Sequence, residues 1–253
     1  MPQLTVCILT HNSIRTIERC LLPALQVADE MIVVDSGSTD GTLEFLHSHG
    51  VQPVHRPYQT HAIQMNFAIS LASNDWVLCL DSDEFLDVRT VDEVNGLKPS
   101  LQDASQAYRI SRHWHVLGEE VRAVYPCSSP DYPVRLFNRR CVRFNDQPVD
   151  DKPEGFSTTA ILPGYVTHDT FFSVQELFGK LNGYTGRLVE YQNVSPSLLR
   201  ACLSAIGAFF KWYVRKGGWQ DGARGVVTAV YAMLYSFLKY FKAWCKAHNI
   251  PLR

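Results

Sequence analysis

The chain has 253 residues, 46% apolar and 19% charged, which suits a packed globular protein and excludes a disordered one. Its seven cysteines are odd in number and form no CxxC pair, which argues against a disulfide framework or a zinc ribbon and for a reducing compartment. The net charge of −1 hides an asymmetry: from Ser197 onward nine Lys or Arg face one acid, Asp221, so this tail carries +8 and the remainder −9.

In chain order, residues 4–9 read as a short apolar strand. Asn12 or Ser13 is placed to cap a helix with Ile14, Ile17, Leu21 and Leu25 on one face. Residues 30–34 form the next strand, ending at Asp35. A turn at 37–40 leads into a helix carrying Leu43, Leu46 and His47, with Thr39 or Asp40 as its cap. Residues 51–54 read as a third strand, 61–72 as a helix and 75–80 as a fourth strand. This alternation predicts an α/β fold with a mostly parallel sheet and helices on both faces. Residues 107–166 hold shorter strands broken by prolines, a mixed or antiparallel extension. From 173 the pattern is helical. The expected division is a catalytic domain over 1–172 and a helical, basic, membrane-associating region over 173–253. The first residues, MPQLTVCILTHN, lack a basic segment followed by a long apolar run, so no secretory signal is expected.

In parallel α/β sheets ligands bind beyond the carboxyl ends of the strands. Three polar clusters fall there: Thr10-His11-Asn12, Asp35-Ser36-Gly37-Ser38 and Asp81-Ser82-Asp83-Glu84. Asp81 and Asp83 follow a buried strand, and two carboxylates so spaced can reach one Mg2+ or Mn2+, a cation that bridges phosphates. The alternative is a solvated acidic turn. Asp35 can accept a hydrogen bond from a nucleobase N–H, and Gly37 lets backbone approach the ligand. Asp40 is assigned to capping.

Together the strings ILTHN (8–12), IVVDSGSTDGT (32–42) and WVLCLDSDE (76–84) resemble the family-two inverting glycosyltransferases of the GT-A fold. Ser36 stands where that family has a second acid; Asp35 matches the first and takes the nucleobase role. Gln64 and Asn66 look like the family's Q-x-N segment beside the nucleotide. YPVRLFNRR (132–140), PGYVTHDT (163–170) and KLNGYT (180–185) are similar to the lipopolysaccharide-core branch, typified by the core β-1,4-glucosyltransferases. The resemblance implies an inverting transfer from a UDP-sugar, UDP-glucose foremost, to a glycolipid or oligosaccharide acceptor, with Mg2+ or Mn2+ as cofactor. Thr10, Asn12, Asp35, Gly37, Gln64 and Asp81 become nucleotide-binding candidates. Asp83, Asp81 and His168 become metal ligands. Where the branch carries V-H-E, this chain has Val149-Asp150-Asp151, which makes Asp151 the candidate base, with Asp150 and Asp146 as substitutes. Arg135 and His113 are candidates for the acceptor, with a structural ion pair as the alternative for Arg135.

The apolar helical runs at 201–210 and 226–238 are too short to span a bilayer, which needs about 20 residues. Their aromatics (Trp212, Tyr213, Trp219, Tyr235, Tyr240, Trp244) and cations (Lys211, Lys239, Lys242, Lys246) fit an anionic membrane surface, or else a hairpin packed on the catalytic domain. The tail shows no nucleic-acid recognition signature, so no nucleic-acid partner is expected. The expected location is cytoplasmic, peripheral on the inner membrane. Competing readings are a non-catalytic nucleotide- or polyanion-binding module and a transferase using a heptose or other hexose donor.

Overall fold

The structure, a computed structural model, describes residues 2–252. It contains two compact units: residues 1–112 with 132–168, and residues 113–131 with 169–253. The first unit therefore closes at His168, and the 113–131 segment belongs with the C-terminal helices.

The elements run β1 (Leu4–Thr10), α1 (Ile17–Val27), β2 (Glu30–Asp35), α2 (Thr42–Ser48), β3 (Val54–His55), α3 (His61–Leu71), β4 (Trp76–Asp81), β5 (Glu84–Leu86) and α4 (Val88–Leu97). They continue with β6 (Gln106–Val116), β7 (Glu119–Glu120), β8 (Ala123–Val124), β9 (Cys127–Ser128), β10 (Val134–Asn138), β11 (Arg143–Phe144), β12 (Pro153–Glu154) and β13 (Thr158–Phe171). Helices α5 (Val174–Tyr191), α6 (Leu198–Phe210) and α7 (Gly222–Ala247) finish the chain. The main sheet has the order β3-β2-β1-β4-β10-β6-β13-β5. Strands β3, β2, β1 and β4 are parallel, whereas β10 pairs antiparallel with both β4 and β6, and β13 antiparallel with β5. This is the α/β arrangement expected from the alternation of apolar runs.

Side chains of β1 and β4 alternate between two cores. Leu4, Val6, Ile8, Leu78 and Leu80 pack with Ile17, Leu21 and Val27 of α1. Cys7, Val77 and Cys79 pack with Ala62, Met65 and Ala68 of α3. Burial on both faces is why these strands read as continuous apolar runs. Two local expectations shift. Helix α1 starts at Ile17 because Ser13 carbonyl oxygen takes the Thr16 and Ile17 amides in a turn, which leaves Ile14 exposed. Strand β3 is displaced to Val54–His55 because the Val51 amide closes α2 by donating to Leu46.

In the second unit Ser173 caps α5: its hydroxyl accepts from the Glu176 amide, and the Glu176 carboxylate accepts from Phe172. Helix α7 packs against both α5 and α6. A wide turn at Lys211–Arg215 follows α6, and Gly218 and Gly225 bring two backbones together; a Cβ on Gly225 would lie 1.6 Å from the Gly218 oxygen. Ala123, Ala208, Trp212 and Ala232 form an apolar cluster in this unit, with Tyr125 against it, which ties the 113–131 segment to the helices. Three expected membrane anchors point inward: Trp212 and Tyr235 pack on Tyr125, and buried Lys242 donates to the carbonyl and side chain of Asn182 at 2.6 and 2.7 Å. No described helix is long and apolar enough to cross a membrane, and among the described residues the seven cysteines form no disulfide.

Candidate active site

Strands β2, β1 and β4 end level. Thr10 pairs with Asp35 and Leu9 with Asp81, so Asp35 and Asp81 stand two strands apart on one sheet edge, a backbone separation of about 10 Å. The loops beyond are stitched together. The Asn12 amide donates to Ser38 Oγ at 2.8 Å, its Oδ1 accepts from the Thr39 amide at 2.8 Å, and the Ser13 and Ser82 hydroxyls meet at 2.7 Å. Asn12 achieves this with φ of 49°, in the left-handed region where Asn is better tolerated than most residues. Gly37, with φ of 97°, turns the chain so that its own amide and that of Ser38 donate to Asp35 Oδ1 at 2.8 and 2.9 Å. Ser38 Oγ donates to Asp35 Oδ2. Asp35 is thus buried and engaged by its own turn. Gln64 is also buried, donating to Ser36 Oγ and to the Arg56 carbonyl. Buried Thr10 closes the β1 end.

The centre of the site is a residue that sequence reading passed over. His61, the first residue of α3, holds Asp81 Oδ1 through Nε2 at 3.0 Å and Asp151 Oδ2 through Nδ1 at 2.6 Å. Asp151 reaches it on the β11–β12 hairpin. That hairpin is anchored to α3 by Asn66, whose Nδ2 donates to the Phe144 carbonyl and whose Oδ1 accepts from the Phe144 amide. The Phe144 ring meets the imidazole edge-on at 5.6 Å. Burial alone would lower the affinity of His61 for its proton; the Asp81 charge and the hydrogen bonds to Asp151 and Asp81 outweigh it and raise the pKa to about 10. Asp81 responds in the opposite sense: despite burial, His61 and Arg135 hold its carboxyl well below the usual range. A histidine with a raised folded pKa contributes stability that is complete below its unfolded value of 6.5 and is lost as pH rises through about 10. The urea midpoint of the metal-free protein is therefore expected to fall across that interval, and to fall much less in His61→Gln; equal slopes would remove the ion pairs from solution.

Arg135 was an acceptor candidate. It is instead buried, paired with the fully buried Glu84 and donating to Asp81 Oδ2 at 3.2 Å. Arg112 adds a 2.9 Å bond to Glu84, and Glu84 Oε2 accepts the Asp81 amide. This cluster positions the Asp81–Asp83 turn from beneath. His168, opposite Glu84 in the β13–β5 ladder, brings Nε2 to 3.2 Å from Asp83 Oδ1. Two carboxylates and an imidazole are the donor types for Mg2+ or Mn2+, and Asp83 and His168 already meet. Among the described residues no three His, Cys, Asp or Glu stand preformed as a metal site, because Asp81 is turned to His61 and Arg135.

Other candidates lie elsewhere. Asp150 has φ of 61° and is exposed, and Asp146 is exposed and paired with Arg143. His113, the second acceptor candidate, is in the second unit, bonded to Glu120 at 2.7 Å.

A strand edge presenting acids at the carboxyl ends of a parallel sheet is where such folds take ligands, and comparison with known proteins narrows the class. Residues 5–94, which span β1 to α4, match Glycosyl transferase family 2. An uncharacterized glycosyltransferase of Rickettsia bellii is 29% identical over 257 residues, 95% of this chain and 84% of the relative. The lipopolysaccharide core biosynthesis glycosyltransferase LpsC of Rhizobium meliloti is 27% identical over 259 residues, 95% of this chain and 88% of LpsC. S. aureus TarS 1-349, solved in complex with UDP-GlcNAc, is 12% identical with a TM-score of 0.48, over 99% of this chain and 93% of that one. The chain is a glycosyltransferase. Its likeness to Glycosyl transferase family 2 is confined to residues 5–94.

Proposed function

We propose that the enzyme is an inverting, metal-dependent hexosyltransferase. It moves a sugar, glucose foremost, from a UDP-sugar to a lipopolysaccharide inner-core or other lipid-linked glycan acceptor at the cytoplasmic face of the inner membrane. The observation that carries this reading is that Asp151 and His168, from distant parts of the chain, come to the Asp81–Asp83 turn, Asp151 through His61 and His168 at Asp83. The acceptor class is supported by the likeness to a relative named for lipopolysaccharide core biosynthesis.

In this reading Asp83, Asp81 and His168 would hold Mg2+ or Mn2+, which supplies countercharge for the departing diphosphate. The loops joined by Asn12 and Ser38 receive the nucleotide. Asp151 is the base: Oδ2 accepts from His61 Nδ1, which orients the carboxylate and leaves Oδ1 for the acceptor hydroxyl proton. Arg135 and Glu84 fix the turn that presents the acids and do not touch substrate.

Asp151→Asn keeps the size of the side chain and removes its basicity. It should slow transfer by about 10²-fold or more, with UDP binding in a manganese-containing thermal-shift assay unchanged. A variant that transfers at the wild-type rate would overturn the base assignment, and the same loss in Asp150→Asn instead would move it by one residue.

A further inference from the structure

Helix α6 and the wide turn after it are built in reverse of a core-facing helix. The residues they bury are small or single: Ala201, Ala205, Ala208 and Trp212. The large apolar side chains face out. Leu199, Leu203, Ile206, Phe210 and Val214 recur at helical spacings that put them on one side, and each is 55–71% exposed. Cys202 and Gly207, between them, are exposed as well. A continuous apolar strip of this kind marks an interaction surface.

The rim of the strip says what lies on it. Between Glu190 and Asp221 the chain carries Arg200, Lys211, Arg215 and Lys216 and no acid. Arg200, Lys211 and Arg215 are exposed and flank one long edge of the strip. A second copy of the chain would set these like charges against one another, whereas an anionic lipid surface offers phosphates to the cations and acyl chains to the apolar side chains.

We propose that the outward strip from Leu199 to Val214 is the face by which the enzyme inserts into an anionic membrane surface. The assignment rests on the membrane partner proposed above. It adds the helix and the face, and it takes the contact away from buried Trp212, Tyr235 and Lys242.

The test uses the full chain with vesicles of phosphatidylcholine alone or mixed with phosphatidylglycerol, read by co-sedimentation, with sedimentation velocity for oligomeric state. The wild type is expected to bind the mixed vesicles. Leu203→Ser combined with Ile206→Ser should weaken binding about tenfold or more by removing apolar burial. Lys211→Glu or Arg215→Glu should weaken it at least about fivefold each. UDP thermal shifts should match the wild type in all three. If the double Ser variant binds as tightly as wild type, the face is wrong while the membrane reading stands. If the wild type binds neither vesicle, both fall. If the wild type is a dimer that the double Ser variant dissociates, with no vesicle binding lost, the strip belongs to a second copy and the proposal is overturned.

Discussion

Replacing Asp83 by Ala should abolish manganese-dependent turnover of a UDP-sugar, a loss of about 10³-fold or more, while the protein stays folded. The magnitude follows from what a cation at a departing diphosphate does. Breaking the sugar–phosphate bond adds one negative charge to the diphosphate, and a missing countercharge raises the barrier by several kcal/mol. Asp83 is a better probe than Asp81. The Asp81 carboxylate also anchors His61 and Arg135, so its loss disturbs α3, the β11–β12 hairpin and the buried pair beneath. Asp83 stands beside His168 at 3.2 Å. Circular dichroism and the thermal midpoint should match the wild type, and the manganese-dependent part of the UDP thermal shift should vanish. Full manganese-dependent turnover in Asp83→Ala would refute the metal assignment.

The second large effect is on stability. Arg135→Ala leaves Glu84 fully buried with Arg112 as its remaining cation and removes one partner of Asp81. Breaking a buried ion pair from one side costs about 3–5 kcal/mol, a large part of the roughly 5–15 kcal/mol that holds a typical domain together. The urea midpoint should drop accordingly. Adding Glu84→Gln to Arg135→Met should recover part of the loss, since the uncompensated charge is then gone. An acceptor-binding arginine would behave otherwise: the midpoint would stay, and KM for the acceptor would rise.

The strand edge was legible in the residues. Strands β1, β2 and β4 are apolar runs that end in Thr10, Asp35 and Asp81, and a parallel sheet must place those ends together. The helix face of α1 was legible in part: Ile17 and Leu21 are buried, while Ile14 falls in the turn before it. What stayed hidden depended on distance in the chain. His61 reads as an ordinary first residue of a helix, and nothing near it says that residues 20 and 90 positions away will take its two ring nitrogens. Arg135 could not be sorted between substrate and Glu84, because both want the same guanidinium. The inversion of α6 was equally out of reach. Its apolar content shows in the residues, but which side faces α7 depends on Ala201, Ala205 and Ala208 being small enough for close approach.

Helix α3 grips several loops in little more than one helical turn. His61 takes the two acids, Gln64 the Ser36 turn and the Arg56 carbonyl, and Asn66 the Phe144 backbone. A slide of that rod by one residue, about 1.5 Å, would unseat every one of them together. In the proposed function, donor recognition and acceptor activation are therefore geared to a common shaft. Substitutions that shift α3 will carry the Asp151 hairpin along with it, and on that proposal selectivity is expected to diverge most freely in parts of the enzyme this rod does not hold.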